Sequence, residues 1–237
     1  MKYENKITFK VSGARALFSD PVTRVGGEKF TYLVPTYQAL KGVTESIYWK
    51  PSIIWRILRV RVLNKIRTES VGVRPIKFKS DSNELAYYTY LKDVAYQVEA
   101  KFEWNYNRKD LQQDWNEDKH YAMAKRAIEA GGRRDVFLGT RECQAYVEPC
   151  KFGEGPGYYD NYGELSFGMQ FHSFIYPDES FYDASYAHLT AVFWKPVMKN
   201  GIIEFIHPSE AEFRRPLYQM KMKSFKPGVN FQVVGGE

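Results

Sequence analysis

The feature that most constrains the fold is the alternation between Val94 and Trp104. Val94, Tyr96, Val98, Ala100, Phe102 and Trp104 fall on one face of an extended segment. Ala95, Gln97, Glu99, Lys101 and Glu103 fall on the other. A sustained two-residue period predicts a half-buried antiparallel strand with its apolar side on the core. Ile7, Phe9 and Val11 repeat the pattern and predict a first strand, ended by Gly13. Ile53 to Asn64 is rich in Ile, Val and Leu and reads as another strand, although Arg56, Arg59 and Arg61 interrupt it at irregular spacing. Val71 to Asn83 carries Gly72, Pro75 and a Ser80-Asp81-Ser82-Asn83 run, which reads as a hairpin tip or loop.

Two helices are expected among these strands. Pro35 suits the first position of a helix whose buried stripe is Leu40, Val43 and Ile47, running to about Trp49 and stopped by Pro51. After a polar loop from Asn107 to Asn116, a second helix runs from about Glu117 to Ala130, with Gly131-Gly132 as its stop. Strand, helix, strands, helix is the order of a ferredoxin-like, RNA-recognition-type βαββαβ unit. Strands at about 143–152, 164–176, 188–196 and 202–207 follow, separated by Gly, Pro and Asp turns; Phe167, Met169, Phe171 and Ile175 are expected on one face. The expected class is therefore α+β. Residues 1–138 form a ferredoxin-like domain with an elaborated basic hairpin, and 139–237 a small antiparallel sheet.

Charge narrows the partners. The net charge is +6 over 237 residues, and the basic residues cluster. Lys50 to Lys79 holds nine Lys and Arg against the single acid Glu69, and Phe213 to Lys226 holds five and no acid. Such clusters are the footprint of a polyanion or a solvated strand face. Aromatics at 16% favour β-structure and supply stacking faces for bases. Cys143 and Cys150 are too few for a disulfide framework or a zinc site and read as small apolar residues in a reducing compartment. No stretch approaches a membrane span, so a cytoplasmic protein is expected.

Lys119-His120 is the most suggestive pair for chemistry. It sets a fixed cation beside the side chain that titrates near neutral pH. With Asn116 as cap, both lie in the first helical turn, where free N–H groups and the dipole favour an anion and a neutral imidazole. Neutral imidazole serves as general base, its protonated form as acid, and a lysine neutralises charge on a phosphorane. The plainer reading is a solvated helix start. No HExxH, G-x-S-x-G or phosphate-loop pattern occurs, so a metal hydrolase is not expected and no cofactor is implied. Gly153 to Gly157 reads as a turn and His172 as a core histidine. Gly131-Gly132-Arg133-Arg134 offers close backbone approach and forked donors to a phosphate, or simply a helix end. Tyr48, taken alone, is a core aromatic with its hydroxyl at the surface.

Several segments together resemble one family: Gly26-Gly27-Glu28-Lys29, Val34-Pro35-Thr36-Tyr37-Gln38-Ala39-Leu40-Lys41-Gly42, Glu45-Ser46-Ile47-Tyr48-Trp49-Lys50-Pro51, Gly72-Val73-Arg74-Pro75 and Thr89-Tyr90-Leu91-Lys92-Asp93-Val94. Gly131 to Gly139, Arg141-Glu142-Cys143-Gln144 and Tyr176-Pro177-Asp178-Glu179 extend the match over nearly the whole chain. The resemblance is to the CRISPR-associated RNA endoribonucleases of subtype I-C (Dvulg) systems, the d form of the fifth numbered Cas family. It implies metal-independent cutting of CRISPR repeat RNA at the base of its stem-loop by 2′-hydroxyl attack, leaving a 2′,3′-cyclic phosphate and a 5′-hydroxyl. It also implies retention on the 5′ handle of the guide RNA, as a subunit of the type I-C interference complex. By motif it places catalysis on Tyr48, Lys119 and His120, with the base and acid roles of Tyr48 and His120 left open. RNA contacts are expected from Arg24, Lys29, Lys41 and Lys50, from Arg56, Arg59, Arg61, Arg67 and Arg74, and from Arg133 and Arg134. The other readings are a non-catalytic subunit that grips the handle, and a general nucleic-acid binder.

Overall fold

The computed structural model describes residues 5–20, 28–75, 85–179 and 188–220. Its elements are β1 (Lys6–Ala16), β2 (Lys29–Phe30), α1 (Tyr37–Ile47), β3 (Ile53–Val62), β4 (Thr68–Val73), β5 (Ala86–Trp104), α2 (Glu117–Glu129) and β6 (Val136–Phe137). They continue with β7 (Gln144–Pro149), β8 (Glu164–Ser166), β9 (Gln170–Ile175), β10 (His188–Trp194), β11 (Val197–Lys199), β12 (Ile202–Glu204) and β13 (Phe213–Gln219). The fold is α+β, mostly antiparallel sheet with few helices. One sheet of ten strands has the order β6-β7-β1-β5-β3-β12-β11-β8, with β2 and β4 also on β5; a second has the order β13-β10-β9.

The strand first read from its alternation is the spine of the large sheet. β5 pairs antiparallel with β1 on one side and β3 on the other, with Phe9 opposite Val98 and Val60 opposite the same residue. Val98, Ala100 and Phe102 on its apolar face are fully buried, and Trp104 at its end is partly buried. α1 contributes Leu40 and Ile47 to this core, and α2 contributes Ala124 and Ile128. The opposite face is also closed at its middle. Gln97 is only 3% exposed because its side chain bonds the loop after β7: Gly153 N–H donates to its Oε1 at 2.9 Å, and its Nε2 donates to the Glu154 carbonyl at 2.7 Å.

Local expectations are adjusted at four places. The first helix is capped by Thr36, whose Oγ1 accepts from Ala39 N–H at 3.1 Å, so Pro35 precedes the cap instead of opening the helix. α1 ends at Ile47, and Tyr48 is extended (φ −153°, ψ 125°). Val71 to Val73, read as loop, are strand, because β5 extends back to Ala86 and pairs them. The expected strand over 164–176 is broken at Gly168 (φ +72°) into β8 and β9, which join different sheets. Phe167, Met169, Phe171 and Ile175 therefore do not share one strand face.

Sheet membership does not follow the expected boundary between 138 and 139. β7 is hydrogen-bonded to β1, and β12 to β3. Among the described residues no helix is long and apolar enough to cross a membrane.

Candidate active site

Tyr48 and His120 are 72 positions apart in sequence, and the fold joins them. Tyr48 leaves the end of α1, its main-chain carbonyl held by Trp55 Nε1–H at 2.6 Å. His120 lies in the first turn of α2, on the stripe that continues through Ala124 and Ile128. The hydroxyl of Tyr48 sits 2.8 Å from His120 Nδ1. His120 Nε2 sits 2.8 Å from the carbonyl oxygen of Asp114. A carbonyl only accepts, so Nε2 carries the proton; in the neutral ring Nδ1 then accepts from the Tyr48 hydroxyl. The result is one directed chain, from Tyr48 O–H through the imidazole to Asp114.

The imidazole is not the solvated helix-start group that its sequence position predicts. It is 0% exposed. The rings of Phe102 and Trp104 lie edge-on to it at 6.0 and 5.6 Å, and Trp115 stacks on Trp104. Burial lowers its pKa; the Asp114 carbonyl and carboxylate oppose this, and Lys119 and Lys50 reinforce it. The expected neutral imidazole thus owes more to a dry aromatic box than to the helix dipole. The helix end is also a poorer anion site than expected, since Asn116 Oδ1 already accepts from Lys119 N–H and the first turn carries Glu117 and Asp118. Burial drives the Tyr48 pKa up to about 12, with the Asp114 charge adding to it and Arg133 opposing. The phenol is therefore a donor, not a phenolate, at neutral pH.

Asp114 is the residue that sequence reasoning missed. Its carboxylate accepts from Lys119 Nζ and from Ser52 Oγ–H, the latter at 2.6 Å, while its carbonyl fixes His120. Burial pushes this carboxyl up, but the Lys119 and Ser52 hydrogen bonds outweigh it and the pKa is lowered. Asp114 lies in a segment read only as polar loop, and no spacing marks it. Lys119 remains 46% exposed despite the pairing.

The expected RNA contacts divide into two groups. Arg133 and Arg134 are exposed, and their main-chain N–H groups bond the Ile47 and Ser46 carbonyls at 3.2 Å, which places them beside Tyr48. Gly132 holds φ +112° there, a conformation that a side chain would strain. Lys50 is half-buried, and its charge reaches His120. Arg67 and Arg74 are exposed on other edges of the sheet, and Lys29 packs over the Tyr88 ring at 4.7 Å.

Three of the expected contacts turn inward, which corrects the surface reading of these residues. Lys41 is 3% exposed and paired with Glu179 and Glu45. Arg56 is 9% exposed, with Glu103 at 3.1 Å. Arg61 is 4% exposed and binds Asp160, Gln97 and two loop carbonyls. Arg59 is forked onto Glu99. Arg24 lies outside the described residues.

Among the described residues no three or more His, Cys, Asp or Glu side chains group as metal ligands. Both cysteines are free.

Known proteins match this framework along most of its length. Two curated relatives, each named CRISPR pre-crRNA endoribonuclease Cas5d, are 32% identical. The one from Thermus thermophilus aligns over 154 residues, 61% of this chain and 64% of that protein. The one from Mannheimia succiniciproducens aligns over 165 residues, 60% of this chain and 71% of that protein. The chain thus spans just under two thirds of the length of the first. A crystal structure described as a CRISPR-associated protein superposes with a TM-score of 0.74 at 39% identity, covering 89% of this chain and 96% of that one. A functionally uncharacterized protein from Streptococcus mutans gives a TM-score of 0.73 at 41% identity over the same shares. The family model described as CRISPR-associated protein (Cas_Cas5) matches residues 6–206, most of the sequence. With that span, the chain belongs to the Cas5d family of CRISPR-associated proteins.

Proposed function

We propose that the chain is a metal-independent endoribonuclease that cuts CRISPR repeat RNA at the base of its stem-loop, with Tyr48, Lys119 and His120 as catalytic residues. The observation that carries this is the 2.8 Å bond between Tyr48 Oη and His120 Nδ1, with Lys119 next in the chain to His120. The 2′-hydroxyl beside the scissile phosphate is the nucleophile, so DNA cannot be cut by this route. As it attacks, its proton passes to Tyr48 Oη, and the phenol's own proton passes to His120 Nδ1. The P–O bond to the 5′ leaving oxygen breaks, leaving a 2′,3′-cyclic phosphate. That oxygen takes a proton from solvent or back along the same path. His120 is thereby the ultimate base and Tyr48 its contact with substrate. Lys119 leaves Asp114 to meet the phosphorane charge. Arg133, Arg134 and Lys50 contact the flanking phosphates.

In this reading the product's 5′ handle stays bound and the chain serves as a subunit of the type I-C interference complex in the cytoplasm. The N-terminal unit is ferredoxin-like, supported by the antiparallel order β7-β1-β5-β3 with α1 between β1 and β3 and α2 between β5 and β7. The unit draws β7 from residues 139–237, and the later strands of that range, β8 to β13, make up the proposed C-terminal antiparallel β-sheet domain.

A second reading, a subunit that grips the handle without cutting it, is favoured by the complete burial of His120. One experiment separates the two. Purified protein is incubated in EDTA with its repeat RNA and with an unrelated RNA, wild type beside Lys119→Ala and His120→Ala. A single cut confined to repeat RNA and lost in both variants is expected. Undiminished cleavage by His120→Ala, or a requirement for a divalent ion, overturns the mechanism. Repeat-selective binding without any cut establishes the second reading, and equal binding to both RNAs a general binder.

A further inference from the structure

The loop from Lys151 to Gly163 is rich in glycine and polar residues, yet it is pinned with unusual investment. Arg61, buried on β3, donates to the Glu154 carbonyl at 3.2 Å, the Gly155 carbonyl at 2.8 Å and Asp160 at 2.7 Å. Tyr158 N–H bonds the Leu63 carbonyl at 2.8 Å, and the Tyr159 hydroxyl accepts from Ile66 N–H at 3.0 Å. This machinery holds two tyrosines outward: Tyr158 is 53% exposed and Tyr162 57%. Both rings meet the buried Tyr159 edge-on, at 4.9 and 5.3 Å. Exposed Lys65 lies 5.6 Å from the Tyr158 ring centre; Arg67, two residues on, is exposed but paired with Asp93 at 2.8 Å. Next to Leu63 opens a recess of about 520 Å³, bordered by Lys10, Ser12, Asn64, Tyr146 and Pro156 and also by the acid Asp93. Tyr146 is 66% exposed.

Exposed aromatic faces on a pinned loop, with a lysine beside one of them, fit one class of ligand especially well. Bases stack on them without regard to sequence, and the cations meet the phosphates. A protein partner would be met by the same tyrosines, but the recess mixes polar with small apolar groups and carries the charges of Lys10 and Asp93, unlike the apolar core of a protein interface. We propose that Tyr158 and Tyr162, with Lys65 and this recess, form a stacking platform for single-stranded RNA. It stands at the far end of β3 from Ser52, so about 30 Å separates it from Tyr48 and His120. The inference rests on the endoribonuclease reading for its substrate class, but it names a second site on the chain.

The test is fluorescence anisotropy in EDTA with two labelled probes, the repeat RNA carrying its single-stranded flanks and a single-stranded oligouridine. Tyr158→Ala/Tyr162→Ala is compared with wild type and with Tyr158→Phe/Tyr162→Phe. The alanine pair is expected to weaken both probes roughly 5- to 100-fold, and the phenylalanine pair by less than about twofold. Oligouridine bound equally by wild type and the alanine pair, or by neither, overturns the platform and makes the surface a protein interface. If wild type fails on repeat RNA but the oligouridine series behaves as expected, the endoribonuclease reading falls and the platform stands.

Discussion

At the scale of single residues, the site turns on a proton held between two side chains. Tyr48→Phe keeps the ring and its packing but removes the hydroxyl bonded to His120 Nδ1. If Tyr48 is the contact between substrate and imidazole, the cutting rate at saturating repeat RNA drops by about 10²-fold or more. A Tyr48→Phe rate within a few-fold of wild type would move the proton transfer elsewhere. The pH profile tests the other partner. His120 acts while neutral, and burial lowers its pKa below the ordinary value of 6.5. The rate of single-turnover cutting is therefore flat as pH falls to that value and declines only below it. An acid limb already developed above pH 6.5 contradicts the buried, neutral base. The Lys119-His120 pair stood out in the sequence itself, as a cation beside an imidazole, whereas Tyr48 stood out only through a resemblance. Asp114 was not legible, because its role depends on a short turn that brings residue 114 under residues 119 and 120, and no pattern of residue types announces that turn.

At the scale of elements, β3 shows why a strand can be read correctly and its charges misread. The irregular spacing of Arg56, Arg59 and Arg61 has a simple cause: the register shifts between Ile57 and Arg59, leaving Leu58 as an extra residue. With that bulge, Trp55, Ile57, Val60 and Val62 all face the core, and all three arginines share the other face. A sequence reader meets a basic strand face and infers an anionic partner. The partner of Arg61 is in fact the loop at residues 154–160, almost a hundred positions away. Arg61→Met removes its donors to the Gly155 carbonyl and to Asp160, although the Glu154 carbonyl keeps Gln97 Nε2 and Asp160 keeps Gly157 N–H. Asp160 is partly exposed, so the expected cost is about 1.5–3 kcal/mol. For a chain of this size that is a fall in midpoint of roughly 5–10 °C in a thermal scan. Limited trypsin digestion should at the same time cut faster at the exposed Lys151. A midpoint shifted by less than about 1 °C, with unchanged digestion, would mean that the loop is held by something other than Arg61.

At the scale of the whole molecule, the small sheet meets the rest of the fold around one histidine. His172 on β9 is 0% exposed. Its ring stacks on Tyr37 of α1 at 4.5 Å and meets Trp194 of β10 edge-on at 5.1 Å, with Phe205 at 6.0 Å. The sequence placed His172 correctly in a core. It could not show that this core lies between two sheets, since the run from 164 to 176 reads as one strand and only the backbone at Gly168 divides it. Burial pushes the His172 pKa down to about 3; the Ile206 backbone opposes this and His207 adds to it. Arg56, near Tyr37 and His207, is a further cation on that side, and Glu210 near His207 a carboxylate. The sign follows from proton binding. The unfolded chain takes up the proton near pH 6.5 and the folded chain only near 3, so stability is full above 6.5 and is lost as pH falls between those values. The loss from this one group is at most about 1.4 kcal/mol per pH unit. Carboxylates held low by partners, Asp114 and Asp160 among them, add their own loss at lower pH. His172→Phe keeps an aromatic ring and removes the titration, so the fall in unfolding midpoint between pH 7 and pH 5 should be shallower than in wild type, whatever the variant costs at pH 7. Parallel curves for the two proteins would show that His172 is not what couples the junction between the sheets to acid.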